Sequence, residues 1–150
     1  MAGSVYASPV KYTCEEDSFT NAIAPSWTAI VDADYQNARM NNFTLRGVSH
    51  NDLDYDSEDM QIIKMLAHEP NKDSMFYDFG SPIAAFRKGE LDVLIYGKSN
   101  GVKFAEVILV SEDKNGMTYN CYKNGSAIDK QLTQLRDSHN KRILEEQQGN

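Results

Sequence analysis

The sequence is poor in cysteine, proline and tryptophan, has no excess of base, and contains no long hydrophobic run. Its two cysteines, Cys14 and Cys121, are too few and too far apart to outline a disulfide framework. They read as reduced, buried thiols of a cytosolic protein. The longest apolar runs, Val93–Tyr96 and Val107–Val110, are strand-sized, far short of the roughly 20 residues that span a bilayer. The opening stretch Met1–Lys11 has neither a basic leader nor an apolar centre, so no secretory signal is read there. The sequons at Asn42 and Asn124 are accordingly expected to stay unmodified. Repeats and low-complexity tracts are absent. The net charge of -7 argues against a nucleic-acid binder, which carries a basic excess or stripe.

Signals for catalysis are also missing. His50, His68 and His139 share no metal-ligand spacing. Gly97-Lys98-Ser99 matches the end of a phosphate-binding loop, but Asp92 stands where that loop requires glycine, and Asn100-Gly101 turns where a helix should follow. Asp52-x-Asp54-x-Asp56 matches the first half of a calcium loop, yet Ser57 and Ile63 occupy the places of its glycine and glutamate. Neither cysteine has an activating neighbour in the sequence. The expectation is a non-enzymatic protein with no cofactor and no metal.

What is present is a single-domain mixture of strands and helices: an arm at 1–11, a domain at 12–146 and a tail at 147–150. Thr13–Ala24 reads as a helix with Thr13 as cap and Glu15, Glu16 and Asp17 in its first turn. Trp27–Val31 and Phe43–Val48 read as strands joined by a long loop, and Asn51–Glu58 as an acidic linker. A helix capped by Asp56 or Ser57 is expected to about His68. Ile83–Arg87, Leu91–Tyr96, Lys103–Val110 and Met117–Tyr122 follow as a meander, punctuated by Lys88-Gly89, Asn100-Gly101 and Asn115-Gly116. Ser126 and Asp129 form a capping pattern for a last helix to about Glu145, striped by Ile128, Leu132, Leu135, His139 and Ile143. The resulting expectation is an α+β fold: a central antiparallel sheet of about six strands, N- and C-terminal helices on one face and a short helix on the other.

Several segments resemble profilins: Phe86–Ser99 (FRKGELDVLIYGKS), Met75–Gly80 (MFYDFG), Thr28–Val31 (TAIV) and Ala127–Gln131 (AIDKQ). The resemblance covers about residues 6–145 and suits a divergent, archaeal or protist, member. It implies a cytoplasmic, cytoskeletal, monomeric protein that binds monomeric actin, sequesters or delivers it and so regulates filament assembly. The implied actin face is Arg87, Glu90, Tyr96, Lys98, Lys103, Phe104, Asp129, Lys130 and Gln134. Its bases complement a partly acidic partner. The family's groove for proline-rich peptides would draw on Tyr6, Tyr12 and His139. Weak binding of inositol phospholipids would use Lys130, Arg136, Lys141 and Arg142. Two competing readings are a dimeric scaffold of the roadblock or longin type and a small acidic immunity or inhibitor protein.

Overall fold

The computed structural model describes residues 9–16, 21–35, 37–61, 81–97, 107–112 and 118–149. Eight strands follow one another: β1 (Val10–Glu16), β2 (Trp27–Asp34), β3 (Arg39–Leu45), β4 (Val48–Tyr55), β5 (Ser81–Lys88), β6 (Leu91–Gly97), β7 (Val107–Ser111) and β8 (Thr118–Lys123). Each pairs antiparallel with the next, and β8 returns to β1, so the sheet closes into an up-and-down barrel. One long helix, α1 (Ala127–Gln148), follows the barrel. This replaces the expected α+β architecture of about six open strands between helices. Closure removes the sheet edges that such an open sheet would leave.

Alternation builds the interior. Tyr12 and Cys14, Ala29 and Val31, Phe43 and Leu45, Ala84 and Phe86, Val93 and Ile95, Ile108 and Val110, Tyr119 and Cys121 are all buried in one cluster. An eight-stranded barrel is just wide enough to be filled by its own side chains or to hold one small ligand. Here, along the described residues, side chains fill it: Tyr12, Phe43 and Phe86 each stand at 0% exposure. The strands β6, β7 and β8 also bury their outer positions. Tyr96, Val107, Leu109 and Tyr122 form a second cluster, against which Leu94 and, from α1, Ile128 and Leu132 pack. Burial on both faces explains the uninterrupted apolar runs of β6 and β7.

The expected helix over Thr13–Ala24 is, up to Glu16, the strand β1. The tertiary partners override the capping pattern: Tyr12 and Cys14 point into the barrel, the Thr13 hydroxyl donates to Asn124 Oδ1 at 2.6 Å, and Glu15 faces α1. The cysteines are not free thiols. Cys14 lies directly opposite Cys121 in the β1–β8 ladder, and the two form a disulfide across the seam that closes the barrel. The supposed arm contributes Val10 and Lys11 to β1, and the supposed acidic linker is the end of β4. In β4 only Leu53 is buried, so Asp52 and Asp54 are tolerated on its outer side.

The last helix is placed as expected. Ser126 is its N-cap, accepting from the Asp129 amide at 3.3 Å, while Asp129 Oδ2 accepts from the Gly125 amide at 3.0 Å. Gly125 sits at φ +83°, a conformation glycine adopts without strain. Arg136 pairs with Glu15 at 2.9 Å, and both side chains are over 90% buried. Burial pushes the Glu15 carboxyl up, and the guanidinium opposes that shift without cancelling it. One turn on, Asn140 clamps the chain before β2: its Oδ1 accepts from the Ala24 amide at 2.7 Å and its Nδ2 donates to the Ala24 carbonyl at 3.1 Å. His139 Nε2 lies 2.9 Å from the Ala22 carbonyl oxygen. Within the expected stripe Ile128 and Leu132 pack on the barrel and His139 and Ile143 are buried, but Leu135 is exposed. No helix among the described residues is long and apolar enough to cross a membrane.

Candidate functional site

The barrel wall is not uniform, and its irregular part lies at β3 and β4. The two strands join through Arg46 (φ +53°) and Gly47 (φ +79°), the two-residue turn with both central residues left-handed that suits a twisted hairpin. The Arg46 guanidinium lies 4.6 Å over the Trp27 ring and 5.1 Å over the Tyr119 ring, and it pairs with Glu112. Trp27 and Tyr119 meet edge to face at 4.6 Å. Among the described residues at this end of the barrel, a cation is thus held over two aromatic rings.

Further along the hairpin the alternation breaks. The β2–β3 register slips by one residue between Asp32 and Ala33, leaving Asn41 without a partner on β2. Its neighbour on β4, Asp52, adopts φ +54°. Met40 and Phe43 both point inward and are separated by three positions instead of two. Asn41 and Asn42, with Asn51 and Asp52 across from them, are thereby turned outward at one bend, the usual effect of a bulge. Asn42 Nδ2 donates to Asn51 Oδ1 at 2.7 Å and also to Ser49 Oγ, and Thr44 Oγ1 donates to Asn42 Oδ1 at 2.7 Å. The bend borders a shallow hollow of about 240 Å³ walled by Arg39, Met40, Asn41, Asp52, Asp54 and Tyr55.

Beyond the bend, β4 loses its neighbour. It pairs with β3 from Val48 to Leu53, but with β5 only at Asp54↔Arg87 and Tyr55↔Phe86. The β5–β6 hairpin turns back after Lys88, so Val48–Asp52 has no strand on that flank among the described residues. Every other ladder of the barrel has five or more paired positions.

Next to this flank lies the acidic group Asp56, Asp59 and Asp92, whose carboxylate oxygens fall within 4.8 Å of one another. Oxygen ligands at that spacing are the kind that hard divalent cations take. Two of the three carboxylates, those of Asp56 and Asp92, already have work in the fold. Asp56 Oδ1 caps the helical turn at 57–61 by accepting from the Asp59 amide at 3.1 Å. Arg87 forks onto Asp92 at 3.0 and 2.8 Å and reaches Asp56 at 3.7 Å. Burial, and then the neighbouring Asp92 and Asp56 charges, push the Asp59 carboxyl up. The cluster is accounted for as a cap and an ion pair, with Arg87 as its cation.

The residues assigned from the profilin resemblance are scattered. Arg87 belongs to the Asp92 pair and Glu90 to the β5–β6 hairpin. Tyr96 is 1% exposed beneath α1, where burial pushes its hydroxyl up to about 12. Asp129 serves the α1 cap, and Lys130 and Gln134 lie on α1. Lys98, Lys103 and Phe104 fall outside the described residues, as do Tyr6, most of the helix expected to His68 and the Met75–Gly80 segment. Tyr12 is fully buried inside the barrel and His139 is held against Ala22, so neither forms a wall of an open groove. Of the basic residues named for phospholipid contact, Arg136 is buried on Glu15. The open profilin-like sheet on which these residues were expected is replaced by the closed barrel. Sequence reasoning missed the β3–β4 bend. Its signal was the polar residues Asn41, Asn42, Ser49, Asn51, Asp52 and Asp54, of which Asn51–Asp54 fall in the stretch expected to be an acidic linker.

No family model, no curated protein and no solved structure matches this chain.

Proposed function

We propose that this protein is a partner-binding module: a filled, disulfide-closed barrel that presents the β3–β4 bend and the open flank of β4 to another protein. One observation carries the reading. The β4–β5 ladder is the shortest of the barrel, and among the described residues Val48–Asp52 of β4 has no strand on its β5 side. Unpaired strand backbone is a template for recognition. The packed interior supports the same reading, because the described barrel residues leave the outer surface as the place for contact. The acidic inhibitor suggested by composition would be one instance of such a module.

The test is site-specific photo-crosslinking. A benzophenone side chain at Ser49 is compared with one at Lys130, on α1, in the source cell or with purified baits. Monomeric actin, the partner implied by the sequence resemblance, belongs among the baits. A crosslinked partner formed from position 49 and not from position 130, which then rebinds as a purified protein, is the expected result. Equal crosslinking from both positions, or none from 49, refutes the reading.

A further inference from the structure

We infer that the open flank of β4 accepts an extended, lysine- or arginine-bearing segment of a partner as an added strand. The inference rests on the binding-module reading and gives it a ligand chemistry. The first observation is backbone direction. After a two-residue turn, Leu45 and Val48 form the first hydrogen-bonded pair of the hairpin, and Phe43 and His50 the next. Ser49 and Asn51 therefore aim their N–H and C=O groups away from β3. The structure bears this out at Asn51, whose carbonyl accepts from the Lys88 ammonium, reaching from the end of β5. A lysine covering an open carbonyl is a common guard on an exposed edge. It is also a contact that an incoming strand can displace, since Lys88 is itself exposed.

The second observation is charge. Asp52 on the open flank and Asp54 just beyond it, where β4 meets β5, are exposed and take part in no ion pair among the described residues. With Asp56, Asp59 and Asp92 following at the β5-paired end of β4, these five carboxylates outnumber Arg39, Arg87 and Lys88. An added strand bearing alternate Lys or Arg would set its cations beside these carboxylates, and opposite charges across a sheet are favourable. A second copy of this chain would instead bring Asp52 and Asp54 of one protomer against those of the other, the unfavourable arrangement. Val48, 58% exposed at the turn end of the flank, offers apolar contact to a side chain of the incoming segment.

The probe is the fluorescein-labelled peptide Lys-Val-Lys-Val-Lys-Val, followed by anisotropy and by amide spectra of the full chain. Three comparisons accompany it: Glu-Val-Glu-Val-Glu-Val, the lysine peptide N-methylated at alternate amides, and the Ser49→Pro variant. Proline is tolerated at an edge position but removes the outward amide proton. The expected results are slowed hydrogen exchange at the Ser49 and Asn51 amides, no binding of the glutamate peptide, and at least about tenfold weaker binding with the N-methylated peptide or with Ser49→Pro. Equal binding of the lysine and N-methylated peptides would reduce the effect to charge alone and overturn the strand-addition inference. So would failure of the lysine peptide to bind at all. Concentration-dependent dimerisation abolished by Ser49→Pro would overturn it in favour of a second copy. A position-49 crosslink in the absence of peptide binding would sink this inference and leave the binding-module reading standing.

Discussion

Removing the seam disulfide should cost more than any other single change in this barrel. Cys14 and Cys121 are 107 residues apart. In the chain-entropy account, closing a loop of that length lowers the entropy of the unfolded chain enough to stabilise the fold by about 5 kcal/mol at 25 °C. A domain of this size has a total stability of about 5–15 kcal/mol, so Cys14→Ala/Cys121→Ala should be marginal or unfolded at 37 °C. Both side chains are fully buried in the main core, so the variant also loses packing at the seam. The assay is urea unfolding of the oxidised protein, the same protein with reductant, and the double variant. Reductant and substitution should lower the midpoint to a similar degree and steepen the slope, because the uncrosslinked chain unfolds to a more expanded state. Alkylation in urea without reductant should label neither cysteine. Full labelling under those conditions, or midpoints that agree with and without reductant, would refute the reasoning. The outcome also bears on where the protein works. A midpoint lowered by reductant would favour an oxidising environment, and equal midpoints the cytosolic one expected from two widely spaced cysteines.

Three further perturbations follow from the same packing. Arg136→Met should cost about 3–5 kcal/mol in urea unfolding, because it leaves Glu15 buried without its cation, whereas Glu15→Leu/Arg136→Met should return to within about 1 kcal/mol of the parent or exceed it. A double variant as unstable as the single one would contradict this. The hydroxyls of Tyr35 and Tyr96 are both pushed up from 10.0 to about 12, chiefly by burial. Their folded values exceed the unfolded one, so their contribution is complete below pH 10 and is lost as pH rises towards 12, by up to about 3 kcal/mol each; absorbance of tyrosinate should show them ionising last, together with unfolding. Arg46→Ala removes the cation over Trp27 and Tyr119 and should cost about 1–2 kcal/mol. Trp27 is the sole tryptophan, so its emission should shift to the red, and an unchanged spectrum would mean that the cation is not held over the ring in this way.

The parts of the fold legible from the sequence are those whose signals are local. The strands β5 to β8 stood out because apolar runs alternate with Gly-Glu and Asn-Gly turns, and α1 because Ser126 and Asp129 cap it. What was not legible depends on partners far along the chain. Glu15, Glu16 and Asp17 after Thr13 make a sound helix start in isolation. Glu15 and Glu16 become strand because Cys14 must meet Cys121, and because Glu15 meets Arg136 on α1. No spacing rule links residues so distant. The same holds for closure: a meander that ends at β8 and one that returns to β1 have the same local pattern, and only the β1–β8 pairing distinguishes them. The bend at β3 and β4 was lost for the opposite reason. Its strand holds one buried residue, Leu53, among Ser, Asn and Asp, so periodicity had nothing to register. A strand held in a barrel mainly from one side, by β3, needs few apolar positions. The weak hydrophobic signal of Val48–Tyr55 and its short pairing with β5 are thus two consequences of one fact: this segment is stabilised mainly by its hairpin with β3.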